Sequence, residues 1–201
     1  MKIPLLYIYL AITLILCYFL INISIENFDL VMIESQLNSN KYKVQDRFDK
    51  KIAADKMAEI NKTIRSIQKV LVQSHPNDKR VIRMNKRLNN TKLQETINKP
   101  DESSYTINKG EIISFCLRNK DHEKRETDEF HNHNVLVFVL IHELAHVMSI
   151  KEGHGTEFME NFRFILRESV KNNIYYPVDY SKMPMNCCGV DVTHNPYYNH
   201  K

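Results

Sequence analysis

Apolar residues along this chain fall into stretches of different period, and each predicts a different element. The first, Ile3 to Ile25, runs 23 residues without a charge. At about 1.5 Å per residue, a helix of that length would span about 35 Å, enough for a bilayer core of about 30 Å. Its end, Phe19-Leu20-Ile21-Asn22-Ile23-Ser24-Ile25, has no Ala-x-Ala-like cleavage site. The pattern therefore predicts an uncleaved transmembrane anchor over residues 1–26 and a single-pass membrane protein. Lys2 before the run and Lys41 and Lys43 after it leave the orientation open.

A second pattern has helical spacing. Ala53, Met57, Ile60, Ile64, Ile67 and Leu71 recur at steps of 4 and 3, a seam of fewer than three heptads. It predicts a helix that packs this stripe on the following domain or on a neighbour, with self-association through residues 53–71 as the other use. Ser74-His75-Pro76-Asn77-Asp78 breaks that helix, because proline cannot continue it and Asp or Asn can cap the next. A shorter helix follows, with Val81, Met84 and Leu88 on one side.

Beyond a linker at Lys99-Pro100-Asp101-Glu102-Ser103, alternation takes over. Ser104 to Ile107 and Glu111 to Leu117 read as two strands around Asn108-Lys109-Gly110, with glycine where a positive φ is needed. Arg118 to His133 is polar, carries five acids, and reads as an exposed loop with His131 and His133 at the surface. Then come seven apolar residues in a row, Val135 to Ile141, and a second helix with Phe158, Phe162, Ile165 and Leu166 on its apolar face. Thr156 is placed to cap that helix, and Glu157 suits the positive end of its dipole.

Charge divides the chain. Residues 41–92 hold 15 Lys and Arg against 5 Asp and Glu, a net of +10, so the remainder of this +4 chain sums to −6. The basic half reads as a helical stalk, and its cations at 79–92 could meet the phosphates of anionic lipid. Nucleic acid is the disfavoured partner, since Phe48 is the only aromatic residue between Tyr42 and Tyr105 and stacking has little to use. Cys17 lies in the apolar run, leaving Cys116, Cys187 and Cys188. One bond from Cys116 to either of the pair, or three reduced thiols, satisfies that count.

The candidate chemistry lies where the apolar run ends. His142-Glu143-Leu144-Ala145-His146 matches the HExxH zinc-helix pattern. Residues i and i+4 share one helix face, so the imidazoles of His142 and His146 can converge on one ion. Glu143 sits beside them, where it can hold a water without being a ligand. A catalytic zinc takes three protein ligands and keeps a position open. His154, eight residues past His146 and flanked by Gly153 and Gly155, is the third candidate. Glu157, Glu160 and Glu168 on the following helix are the acidic alternatives. Three phenols near the C-terminus, Tyr175, Tyr176 and Tyr180, are candidates to steady an oxyanion, with aromatic packing as their other job.

The run HELAHVMSIKEGHGTEF resembles the SprT-like and WLM-like zincin metallopeptidases. The longer stretch to Cys188-Gly189 resembles predicted membrane-anchored metallopeptidases of large DNA viruses. The resemblance implies that His142, His146 and His154 bind zinc, that Glu143 is the general base, that the substrate is a protein or peptide, and that Ile112 to Leu117 is the strand that pairs with it in extended form. The expected architecture is α+β: a small zincin-like domain at 93–201, with the HExxH helix against a short β-sheet. It would be preceded by the basic helical region, 41–92, and by the transmembrane helix in a virion or host membrane.

Overall fold

The computed structural model describes residues 7, 9–18, 30–97, 102–120 and 126–198. Of the expected anchor, residues 7 and 9–18 are helical and the remainder lies outside the described residues. Among the described residues no helix is long and apolar enough to cross a membrane. The predicted transmembrane span is overturned on that ground. The single-pass placement in a virion or host membrane and the membrane contact built on that span fall with it.

The α+β expectation holds in a larger form. A five-stranded sheet has the order β1-β2-β3-β5-β4, with β1 at Leu30–Glu34, β2 at Lys41–Gln45, β3 at Lys92–Glu95, β4 at Tyr105–Ile107 and β5 at Ile112–Phe115. β1 and β2 pair antiparallel, β2 to β3 and β3 to β5 parallel, and β4 closes the far edge antiparallel to β5. Helices α1, Lys50–Ser74, and α2, Lys79–Leu88, make the crossover from β2 to β3. The 41–92 stretch is therefore woven through the same sheet as the residues after it.

Its apolar seam explains why. Ala53, Met57, Ile60, Ile64, Ile67 and Leu71 are all 3% exposed or less, in one core with Leu140, Ile141 and Leu144 of the HExxH helix. A stripe buried against its own chain has no face to offer a second copy, so self-association through 53–71 is corrected. The basic side chains of α2 are likewise partly used inside. Arg83 Nε donates to the Met148 carbonyl at 2.8 Å, and Arg87 Nη1 to those of Val147 and Ser149 at 2.6 and 2.7 Å. Helix carbonyls in a last turn lack internal partners, and cations there also meet the negative end of the dipole. That role replaces the expected lipid contact of residues 79–92.

The polar stretch after β5 folds as a hairpin of β6, Arg118–Lys120, and β7, Glu126–Phe130. Arg118, read as part of an exposed loop, is fully buried. Its guanidinium reaches both oxygens of Asp49 at 2.5 and 2.8 Å and Glu95 Oε1 at 3.0 Å, over the ring of Phe130. Burial alone would raise the Asp49 carboxyl. The Arg118 hydrogen bonds and charge outweigh it and hold Asp49 below its ordinary 3.8.

Helix α3, His133–Met148, starts at Asn132, whose side chain accepts from the Asn134 amide at 2.8 Å. Helix α4, Thr156–Lys171, packs against it and buries Phe158, Phe162, Ile165 and Leu166 as their spacing predicts. Gly155, not Thr156, occupies the N-cap, with no side-chain cap bond. A C-terminal hairpin, β8 at Met185–Cys187 and β9 at Val190–Val192, turns through Cys188 and Gly189 at φ +57° and +78°.

Candidate metal centre

α3 presents His142 and His146 one turn apart, and the α3–α4 turn brings His154 back to them. Gly153, at φ +76°, supplies the left-handed residue this reversal needs. Glu157 fixes the turn: its carboxylate accepts from the amides of Ile150 and Lys151 at 2.9 and 3.0 Å. The other acidic alternatives also point elsewhere, Glu168 to His75 at 3.3 Å and Glu160 toward the charge of Arg80.

The Nε2 atoms of His142 and His154 are 3.1 Å apart, and those of His146 and His154 3.2 Å apart. A tetrahedral ion with Zn–N bonds of about 2.0–2.1 Å would set its nitrogens about 3.3–3.4 Å apart, so the three imidazoles fit one ion. Burial, then the neighbouring imidazoles, lower His142 to about 3; burial, then the charges of His154 and Lys109, lower His146 to about 4. Their lone pairs are thus free at neutral pH. Phe158 packs against all three rings at centroid distances of 4.4–4.8 Å, which limits their rotation.

Glu143 is 3% exposed. Burial raises its carboxyl to about 7, opposed by a hydrogen bond in which Thr106 Oγ1 donates to Oε2 at 2.7 Å. Thr106 lies on the edge strand β4, whereas β5, the strand expected to take a peptide, is paired on both sides. Only the alternation of Ser104 and Thr106 hinted at this, by placing both on one strand face.

A cleft of about 450 Å³ opens beside His142, Glu143 and His154. Ser103, Ser104, Phe138 and Phe162 form part of its wall, and the β8–β9 hairpin with His194 forms another part. Nothing in the sequence had singled out His194. None of the three tyrosines lines this cleft. Tyr175 and Tyr180 are buried against Phe138 with ring centroids 6.0 and 5.0 Å away, and Tyr176 is exposed.

A second cluster lies next to the first. Cys116 and Cys188 form a disulfide, and His131, expected at the surface, is buried beside it at 4% exposure, whereas His133 is exposed. Among the described residues, His142/His146/His154 and Cys116/His131/Cys188 are the two groups whose ligand atoms are mutually close enough to hold a metal ion.

No protein-family model matches this chain. A crystal structure of Wss1 from Saccharomyces cerevisiae superposes at a TM-score of 0.47 with 19% identity, covering 65% of this chain and 88% of that one. Uncharacterized protein 042R of Invertebrate iridescent virus 3 is 34% identical over 89 residues, 44% of this chain and 49% of that protein. Uncharacterized protein 136R of Invertebrate iridescent virus 6 is 32% identical over the same length, 44% of this chain and 48% of its own. These relatives are viral proteins, while the expected kinship with membrane-anchored metallopeptidases is overturned with the span. Uncharacterized protein R325 of Acanthamoeba polyphaga mimivirus is 30% identical over 162 residues, which cover 79% of this chain and 80% of the mimivirus protein. The chain belongs to the family of that mimivirus protein.

Proposed function

We propose that this protein is a zinc-dependent peptide hydrolase, with His142, His146 and His154 as ligands and Glu143 as general base. The observation that carries the reading is the convergence of three Nε2 atoms at 3.1–3.2 Å beside a buried carboxylate, at the floor of an open cleft. Zinc held there would act as a Lewis acid and lower the pKa of a water in its fourth position toward about 7.

The chain's own groups do the remaining work. Thr106 occupies Oε2 of Glu143, so Oε1 is the oxygen left to take a proton from the attacking water. Low exposure keeps that carboxylate poorly solvated, which favours taking the proton and then returning it to the leaving amine. β4 is the sheet edge beside the site, and an extended peptide added there would lay its backbone along the cleft, past Ser103 and Ser104.

The test is cleavage of an unstructured protein such as casein by the zinc-loaded full chain. Cleavage that stops on chelation and returns with zinc supports the reading. A folded, zinc-loaded chain that cleaves no protein or peptide would remove it.

A further inference from the structure

Cys116, His131, Cys187 and Cys188 come from three separate places: just past β5, just before α3, and the turn of the β8–β9 hairpin. All four are buried, at 5% exposure or less. His131 Nε2 lies 3.3 Å from Cys188 Sγ and 3.8 Å from Cys187 Sγ, and those two sulfurs are 3.8 Å apart. Bonds of about 2.3 Å to sulfur and about 2.0 Å to nitrogen around a tetrahedral ion give S···S near 3.8 Å and S···N near 3.5 Å. Three edges of such a tetrahedron are therefore close to size already. The edge from Cys116 to Cys188 is closed as a disulfide, and Nε2 accepts from the Cys188 amide at 3.3 Å. The His131 ring is also hydrogen-bonded to the Arg118 backbone, the kind of outer contact that orients a ligating histidine.

We propose that, when the disulfide is reduced, Cys116, His131, Cys187 and Cys188 form a second metal site, a closed Cys₃His set for zinc that pins the β8–β9 hairpin to β5 and to the start of α3. Two electrons and two protons from a thiol reductant convert the disulfide to thiols at Cys116 and Cys188. Binding of the dication then releases three protons, one from each thiol, while neutral His131 contributes its Nε2 lone pair. Four protein ligands leave no open position, so the site is structural.

Its consequence falls on the neighbouring cleft. Cys187, Cys188, Val190 and Val192 line the cleft, and a hairpin with strands of three residues each cannot hold its shape unaided. Disulfide and metal are alternative clasps for that wall. The inference stands apart from the three-histidine reading, since none of its ligands is shared.

Cobalt(II) added to the full chain, reduced with a phosphine under anaerobic conditions, separates the two sites. Thiolate-bound cobalt gives a near-ultraviolet charge-transfer band, which an all-imidazole site does not. The band should saturate with one thiolate-bound cobalt per chain, persist in His154→Ala, vanish in Cys187→Ser and return weaker in Cys187→His. Thiol counting on the unaltered chain gives an independent reading: Cys116, Cys187 and Cys188 should resist a chromogenic thiol reagent while metal is bound and react after chelation and unfolding. A folded, reduced chain without the band, a band unchanged by Cys187→Ser, or thiols equally reactive with and without metal would overturn the proposal.

Discussion

The hydroxyl of Thr106 donates to Oε2 of Glu143 at 2.7 Å, tying edge strand β4 to the HExxH helix. The bond fixes which carboxylate oxygen faces the reaction. Thr106→Val keeps the shape and removes the donor, at a loss of about 1.5–3 kcal/mol for a bond to a charged acceptor. We expect kcat/KM to fall about 10- to 100-fold with zinc content unchanged. A fall in zinc content to match would instead assign Thr106 to site assembly.

Glu157 holds the amides of Ile150 and Lys151, and that turn carries His154 to its partners. Glu157→Gln should weaken zinc binding about 10-fold, in the range of other outer contacts, whereas His154→Ala should reduce it far more. Equilibrium dialysis against a zinc chelator gives both values. Equal losses would mean that Glu157 is itself a ligand.

Arg87 donates to the carbonyls of Val147 and Ser149 at the end of α3, one turn from His146. Arg87→Met leaves those carbonyls without their charged donor. Urea unfolding should show a loss of about 2–3 kcal/mol. A change under 0.5 kcal/mol, the scale of ordinary surface substitutions, would show that water replaces the guanidinium.

Asp49 has its carboxyl held below 3.8 by Arg118. A depressed folded pKa contributes stability that is present above the unfolded value and lost as pH falls through the folded one. The thermal midpoint should therefore drop between about pH 5 and pH 3, less steeply in Asp49→Asn. Arg118→Met leaves two carboxylates buried together and should cost about 3–5 kcal/mol near neutrality.

Much of the site was legible because its signals are local. HExxH places two imidazoles on one helix face, and the glycines around His154 mark a reversal, so the geometry of these residues follows from spacing alone. The apolar faces of α1, α2 and α4 were readable for the same reason. What the faces pack against was not, and a +10 stretch suggested a separate stalk although its stripe fills the common core. Contacts far apart in sequence were harder to read: Arg118 with Asp49, 69 residues distant, and Thr106 with Glu143, 37 distant, left no trace, and the bond of Cys116 to Cys188, 72 distant, stood only as one of several cysteine arrangements. His131 illustrates the cost, because a polar run before a helix gives no sign that one imidazole within it turns inward onto sulfur. The uncharged run at Ile3 to Ile25 met a different limit: its hydropathy suits a bilayer, yet among the described residues no helix is long and apolar enough to cross one.

One comparison tests the central claim most directly: peptide hydrolysis by the full chain and by Glu143→Gln, each with the same measured zinc content. The substitution removes the base and leaves His142, His146 and His154 in place. Equal zinc with hydrolysis reduced by several orders of magnitude is the predicted result. Equal zinc with turnover retained would contradict Glu143 as the base and, with it, the mechanism assigned to this centre.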